Sequence, residues 1–409
     1  MNKTLKITLT SLFAVASIGV NAASNDELLA KISQLETQLK GLANQVQANN
    51  NYTNTHIKEQ QAQIEAVATQ VESTTQQGSK THISGYGELH YNNLKNDTNG
   101  KTKDEIDFHR FVLEFGHDFS DKTRFFSELE LEHAIAGEGK KGEIELEQAY
   151  IEHDFNESVS GRAGVVLIPV GILNETHEPT AFYGVERNPV EKNIIPATWW
   201  AAGIGVSGHS SDGLSYDLLY HEGLNVPDSF KIRSGRQKTG KAVAKDFATT
   251  ARLKYTGIAG LELAATYQHQ QDFAQGNTFD DDNNTATATV AIGGSANLFE
   301  THVAYNSGPL TLKALYAKWK LNGNAAKAAN KDKQDGYYYE AGYKITPKLG
   351  VFARYNEWDN GGDGDTTKKQ TDYGVNYWLE ENVVFKADIQ TQSGKADDDG
   401  FNLGLGYQF

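Results

Sequence analysis

The chain has no cysteine, one methionine and seven prolines. After residue 20 no apolar run approaches the 18 residues that a membrane-crossing helix needs. The missing cysteine excludes a disulfide framework and any thiolate metal site. The missing apolar run excludes a transmembrane helix in the mature chain. Basic residues are scarce as well, with 38 Lys and Arg against 53 Asp and Glu and a formal charge of −15. Nucleic acid is a poor partner for such a chain, because its binding rests on cations that neutralise phosphates. What abounds is glycine and aromatic side chains: 39 Gly, 19 Tyr and 18 Phe in 409 residues. With a mean hydropathy of −0.55, this composition suits many strands and turns rather than a Leu-rich helical core. Strands that cross a membrane alternate apolar and polar residues, so a transmembrane barrel keeps a low average hydropathy.

Residues 1–22 read as a secretory signal. Lys3 and Lys6 form the positive start, residues 9–20 the apolar run, and Val20-Asn21-Ala22 the small residues before a cut ahead of Ala23. The run is too short for an anchor, and polar sequence follows at once. Loss of Lys3 and Lys6 takes the formal charge from −15 to −17.

From Leu28 the apolar residues are Leu28, Ile32, Leu35, Leu39, Leu42 and Val46, at alternating gaps of four and three. This is the heptad seam of a coiled coil. The Asn49–Asn51 patch interrupts it, and it resumes at Ile57, Ile64, Val67 and Val71 with a four-residue stutter. A stripe this narrow cannot be buried by one helix alone. Self-association of three helices is expected, with a hairpin of 28–46 on 57–71 as the alternative. Near Gly78 the apolar period changes from 3.5 to 2. The expected domains are a signal peptide (1–22), a periplasmic coiled coil (23–78) and a barrel (79–409).

From residue 81 onward sixteen strand-like segments of about ten residues can be read. Every second connection is short, as at Ser120-Asp121, Asn156–Ser158, Ser210–Asp212, Pro347-Lys348 and Glu381. The others are longer and polar: 93–103, 136–142, 169–198, 223–244, 273–294, 322–335, 360–369 and 394–398. Tight turns at one rim and long loops at the other predict an all-β fold, a 16-stranded antiparallel transmembrane β-barrel preceded by the coiled coil. In lipid every backbone group needs an internal partner, so the sheet must close. Sixteen strands then leave an aqueous lumen.

Strand register assigns the faces. Phe111, Leu113 and Phe115 alternate with Arg110 and Glu114. Phe125, Leu129 and Leu131 alternate with Arg124, Glu128, Glu130 and Glu132, and Ile144 and Leu146 with Glu143, Glu145 and Glu147. The polar set is the expected lumen lining. Segment 311–319 alternates less cleanly and reads as covered on both sides. At the end of the chain Phe401, Leu403, Leu405, Tyr407 and Phe409 fall at every second position. Tyr407 and the terminal Phe409 resemble the signal read by the outer-membrane barrel assembly machinery.

A barrel this wide needs a constriction to select. The third long loop, 169–198, holds four of the seven prolines, and that stiffness suits an eyelet folded inward. Its candidate constriction residues are Glu175, His177, Glu178, Glu186, Arg187, Glu191 and Lys192. His177 between two glutamates lacks a fourth ligand, so no metal site and no cofactor are expected. The loop 231–245 carries Lys231, Arg233, Arg236, Lys238, Lys241 and Lys245 without a carboxylate until Asp246. It is either a basic mouth or a surface loop that meets lipopolysaccharide phosphates.

Pro169-x-Gly171, Glu186-Arg187 and the return strand Gly203-Ile204-Gly205-Val206 resemble the phosphate-selective porin O/P family. The N-terminal heptads make the chain similar to the coiled-coil-bearing, DcaP-like trimeric porins. The resemblance implies a homotrimer in the bacterial outer membrane, a periplasmic N-terminus, and loop three inside the lumen. It implies a passive channel for small hydrophilic or charged solutes. Phosphate selectivity does not carry over with it. The strand arginines are few (Arg110, Arg124, Arg162, Arg252, Arg354), and the carboxylate wall outnumbers them. An acidic wall concentrates cations, while the basic loop favours anions, so the sign of selectivity stays open. Two other functions compete. An outer-membrane hydrolase would need a nucleophile motif such as Gly-x-Ser-x-Gly, which is absent from the sequence. A tether joining the barrel to peptidoglycan through the coiled coil would need far fewer strands.

Overall fold

The computed structural model describes residues 30–47, 80–134, 142–280 and 289–409. The signal peptide, Leu28 and the second heptad run from Ile57 to Val71 lie outside the described residues. The chain divides into two compact units, Met1–Ser79 and Lys80–Phe409. In the first, residues 30–47 form helix α1. Its stripe of Ile32, Leu35, Leu39, Leu42 and Val46 is more than half exposed at every position.

The second unit is a closed antiparallel barrel. Its first strands are β1 (Thr81–Asn96), β2 (Thr102–Ser120), β3 (Thr123–Glu132), β4 (Ile144–Asn156) and β5 (Val159–Leu167). After a long excursion come β6 (Trp200–His209), β7 (Leu214–His221), β8 (Ala248–Tyr255) and β9 (Leu261–Gln270). Two short strands, β10 (Thr278–Asp280) and β11 (Thr289–Ala291), pair only with each other inside the next loop. The barrel resumes with β12 (Ala296–Ser307), β13 (Leu310–Leu321), β14 (Lys333–Thr346) and β15 (Leu349–Asp359). It ends with β16 (Lys368–Glu380), β17 (Val383–Gly394) and β18 (Asp398–Gln408). Every barrel strand pairs with its neighbours in sequence, β9 with β12, and β18 with β1.

Sixteen strands therefore close the sheet, as the turn pattern predicted. The first long loop is shorter than expected. β1 and β2 pair as far as Lys95–Thr102, which leaves residues 97–101 where 93–103 were expected to be irregular.

The barrel is inverted relative to a soluble protein. The exposed large side chains are apolar, among them Ile83, Ile106, Leu218, Leu253, Tyr339 and Leu403. The buried strand residues include Glu88, Arg110, Glu128, Gln268, Glu300, Asn356 and Asp372. An apolar outer band and a polar interior are what a lipid-embedded barrel requires. Closure uses aromatic rings laid over glycines. Phe409 N–H donates to Gly85 O at 2.9 Å, and Gly85 N–H donates back at 3.0 Å. A Cβ on Gly85 would sit 2.3 Å from Val112 O, and one on Gly87 would meet the Tyr407 hydroxyl at 2.7 Å.

One side of the interior departs from the polar rule. Leu315, Trp319, Leu321, Tyr338 and Trp358 point inward from β13–β15 and are buried. They pack against Val190, Ile194, Trp199, Leu224, Ile232 and Phe273, all from loops. The imperfect alternation of 311–319 has this cause: apolar loops cover the inner face of β13.

Candidate functional site

The loop between β5 and β6, residues 168–199, is stiffened from within. Asn188 caps the short helix α2 (Pro189–Asn193), accepting from the Glu191 N–H at 2.8 Å, with Pro189 in the first turn. The carboxylate of Glu191 turns back and accepts from the N–H groups of Ile172 (2.9 Å) and Leu173 (2.6 Å). Gly171 has φ +72, and a Cβ there would lie 2.7 Å from Glu191 Oε2. The Pro-x-Gly motif thus lets the chain double back over a buried carboxylate.

The same loop touches walls on opposite sides of the barrel. On one side Arg110 Nη2 of β2 donates to His177 O at 2.5 Å, and Asn92 Nδ2 of β1 donates to Glu186 Oε1 at 3.0 Å. On the other, Trp319 Nε1 of β13 donates to Ile194 O at 2.8 Å and Tyr338 of β14 donates to Glu191 Oε1 at 2.8 Å. Between them, Arg354 of β15 reaches Tyr183 O and Glu186 O, each at 3.3 Å, and Val185 N–H donates to Asp388 of β17 at 2.7 Å. Glu175 pairs with Arg252 of β8. A segment held by β1, β8, β13 and β17 crosses the interior.

On its long-loop side a cavity of about 730 Å³ remains, and its two faces carry opposite charge. The β3–β4 wall presents Glu130, Glu132, Glu145 and Glu147. The loops present Arg187, Lys192, Arg233, Arg236 and Lys238. Arg233 Nη1 donates to Ala197 O at 2.6 Å, and Arg236 donates to Thr198 O, so the fourth loop is locked onto the third. Burial, then the neighbouring Arg236 and Arg187, push the Arg233 guanidinium down from its ordinary value. It stays charged all the same, and the crowding marks cations short of counter-ions. Lys238 bridges Glu143 and Glu145 across the two faces. Burial lowers its ammonium, but the hydrogen bonds to those glutamates outweigh this and raise it overall.

The sequence candidates divide by position. Glu186, Arg187 and Lys192 line the cavity. Lys192 is water-accessible there although the barrel encloses it. Glu186 accepts from Asn92 and meets His90 Nδ1 at 3.2 Å. Burial opposes its charge, yet His90, followed by Lys192, holds the carboxyl well below the usual range. Glu191, offered by the sequence as a constriction residue, lies inside the loop as a brace, with none of its surface exposed. Glu178 is half-buried and has no side-chain partner among the described residues. His177 is buried between Glu128 and Glu147. Burial works against its charged form, but the two carboxylates prevail and hold the imidazole up to about 9.

Of the lumen candidates, Glu114 accepts from Ser84 at 2.5 Å. Arg124 pairs with Glu152 and Asp154 at the short-turn rim, away from the cavity. Arg110 donates to Glu88 at 2.6 Å. Lys231 faces a separate cleft beside Lys331 and Lys368, so the basic loop splits in two.

Among the cavity residues that the alternation reading missed are three histidines, His90, His109 and His133. The rings of His90 and His109 stack at 4.7 Å, and Asp107 Oδ2 meets His133 Nδ1 at 2.8 Å and His109 Nδ1 at 3.2 Å. His90 shares the inward parity of Glu88 and Asn92 and was legible. His109 is the extra residue of a β-bulge, since Glu88 pairs with Arg110 and Leu89 with Phe108. Strict alternation misplaces such a residue.

A sequence model of phosphate-selective porin O and P matches residues 83–399. An uncharacterized protein of Aquifex aeolicus (strain VF5) is 30% identical over 373 residues, covering 80% of this chain and 79% of its own length. Among solved structures, the anion-selective porin from Comamonas acidovorans superposes with a TM-score of 0.57 at 13% identity. It matches 81% of this chain and 100% of its own. The outer membrane channel DcaP of Acinetobacter baumannii gives 0.54 at 14% identity, over 80% of this chain and 97% of its own. At these identities the structures speak for the fold. The family match spans nearly the whole barrel, and by it the chain belongs to the phosphate-selective porin O and P family, a porin of the outer membrane.

Proposed function

We propose that this porin is a passive route for small hydrophilic or charged solutes, narrowed by the 168–199 loop. The observation that carries this reading is the opposed charge of one cavity. Arg187, Arg233 and Arg236 face Glu132, Glu143 and Glu147 in the open space above the crossing loop. Fixed charges in a confined, low-dielectric mouth sort ions without binding them tightly enough to stop them.

The exposed apolar stripe of α1 supports a second element of the proposal. Three copies of the helix in a homotrimer would bury Ile32, Leu35, Leu39, Leu42 and Val46 against one another in the periplasm. Tyr407 and Phe409 serve as the assembly signal, and the outer loops meet lipopolysaccharide. A channel role leaves no task for a catalytic set. A peptidoglycan contact through the coiled coil would be an added role.

The test is the reversal potential of the purified protein in a planar bilayer across a KCl gradient, with step sizes recorded in triplets. A cation-leaning potential would mean that the glutamate wall dominates. An anion-leaning one would give control to Arg187, Arg233 and Arg236. Absence of conductance would reject the diffusion route.

A further inference from the structure

Beneath the cavity, three donors converge from three parts of the chain. Glu128 comes from β3, Glu147 from β4 and His177 from the crossing loop, and one ligand atom of each lies within 4.8 Å of the others. All three side chains are at most 4% exposed. Glu147 is placed there by a β-bulge, for Glu128 pairs with Gln148 and Leu129 with Leu146, leaving Glu147 between them. Bulges re-aim side chains beside functional sites.

The hydrogen bonds fix what each donor offers. His177 Nδ1 lies 3.2 Å from the carbonyl oxygen of Asn174, which can only accept, so Nδ1 carries the hydrogen. Nε2 then points toward Glu128 Oε1 at 3.5 Å and Glu147 Oε2 at 3.4 Å. Among the described residues neither His177 Nε2 nor Glu147 Oε2 has a hydrogen-bond partner. Charge-assisted N–H···O bonds close to about 2.7–2.9 Å, well inside these separations. Nitrogen and oxygen ligands about 2.0–2.1 Å from a tetrahedral zinc ion stand about 3.4 Å from each other. His177 Nε2 stands from each carboxylate oxygen at the spacing of two ligands around one ion.

Charge and orientation agree. Glu128, Glu130 and Glu147 are each 2% exposed. The guanidinium of Arg110 is hydrogen-bonded to Glu88 and stands 3.8 Å from Glu130. Two buried carboxylates that share one imidazolium keep a net negative charge, which is costly, and a divalent ion in place of its proton would neutralise both. Tyr86 donates to Glu128 Oε1 at 2.8 Å and Gln148 to Glu128 Oε2 at 2.6 Å. The Asn174 carbonyl orients the imidazole, as partners of metal ligands do. Glu147 also lines the cavity above, which supplies an entry path.

The other acidic groups differ. Glu130, Glu132 and Glu145 bring no nitrogen donor, and Lys238 occupies Glu145. The Asp107, His109 and His133 group is open to water, and its Asp107 oxygen is already bonded to both rings.

We propose that Glu128, Glu147 and His177 form a site for a divalent transition-metal ion of the zinc class, which pins the root of the crossing loop to the β3–β4 wall. One imidazole and two carboxylates suit zinc and leave a fourth position for water. The site does not depend on which solutes the channel passes.

The test is zinc binding by the full mature protein in detergent, measured as retained metal after dialysis and as affinity by calorimetry. One ion per protomer is expected. His177→Asn and Glu147→Gln should each weaken binding at least about 100-fold, more than loss of an orienting partner would, while His133→Ala binds as the unaltered chain does. Failure of a heat-modifiable, folded barrel to retain zinc would overturn the proposal. Binding unchanged in both variants would too, and so would binding lost in His133→Ala, which would place the ion on the open histidine group. Both substitutions alter buried contacts, so zinc-edge absorption of the unaltered protein gives an independent reading. One imidazole among oxygen neighbours is expected, and two or more imidazoles would reject the site.

Discussion

Tyr338 of β14 donates its hydroxyl to Glu191 of the crossing loop at 2.8 Å. Wall and loop thus share one buried carboxylate, which also holds the Ile172 and Leu173 N–H groups. Tyr338→Phe removes a donor from a fully buried charge. A loss of about 1–3 kcal/mol is expected for a buried group left short of a partner, read as an earlier midpoint in denaturant. Single-channel records should show more flicker with the sign of the reversal potential unchanged. A variant as stable and as quiet as the parent would separate Glu191 from loop stiffness.

Charge at the two faces of the cavity should move selectivity in opposite directions. A unit charge about 8 Å from a permeating ion in water is worth roughly 0.5 kcal/mol, or about twofold in relative permeability. Arg233→Gln with Arg236→Gln should shift the reversal potential toward cations. Glu132→Gln with Glu143→Gln, on the opposite face of the same cavity, should shift it toward anions. A shift of the same sign from both pairs would mean that they act by reshaping the loops and not by their field.

Acid should release the loop tip late. Glu186 has a carboxyl pKa held well below the ordinary value by His90. A depressed carboxylate stabilises the fold fully above its unfolded pKa, about 4.3, and loses that contribution as pH falls through the folded value. Protease nicking of the 168–199 loop should therefore be flat from pH 7 to about 4.5 and rise only in stronger acid. In Glu186→Gln that acid step should vanish. An onset near pH 6 would assign the anchor to another group.

The strands were legible because their physics is local. Glu128, Glu130 and Glu132 alternate with Leu129 and Leu131 in the sequence, and they do so in β3. The bulges at His109 and Glu147 were not legible, since one inserted residue shifts parity without any mark in composition. Nor was the inward packing of Leu224, Ile232 and Phe273 against Trp319. Those residues sit in loops that look polar overall, and their cover lies up to a hundred residues away in sequence. The proline content of 169–198 marked the segment that crosses the interior. Which of its charges face water depended on the turn at Gly171, and that turn buries Glu191 and leaves Glu186 beside the cavity.

The missing cysteine makes the helix testable without background. In α1, Leu35 is 57% exposed and lies on the stripe with Leu39 and Leu42. If three helices pack along that stripe, Leu35→Cys brings three thiols to one axis. Mild oxidation should then yield covalent dimers of the full chain, while Thr37→Cys, exposed on the face away from the stripe, should give few. A hairpin within one chain would bury the stripe against residues 57–71 instead, and oxidation would leave monomers. Dimer yield equal at both positions would point to random collision, and the coiled coil would lose its support.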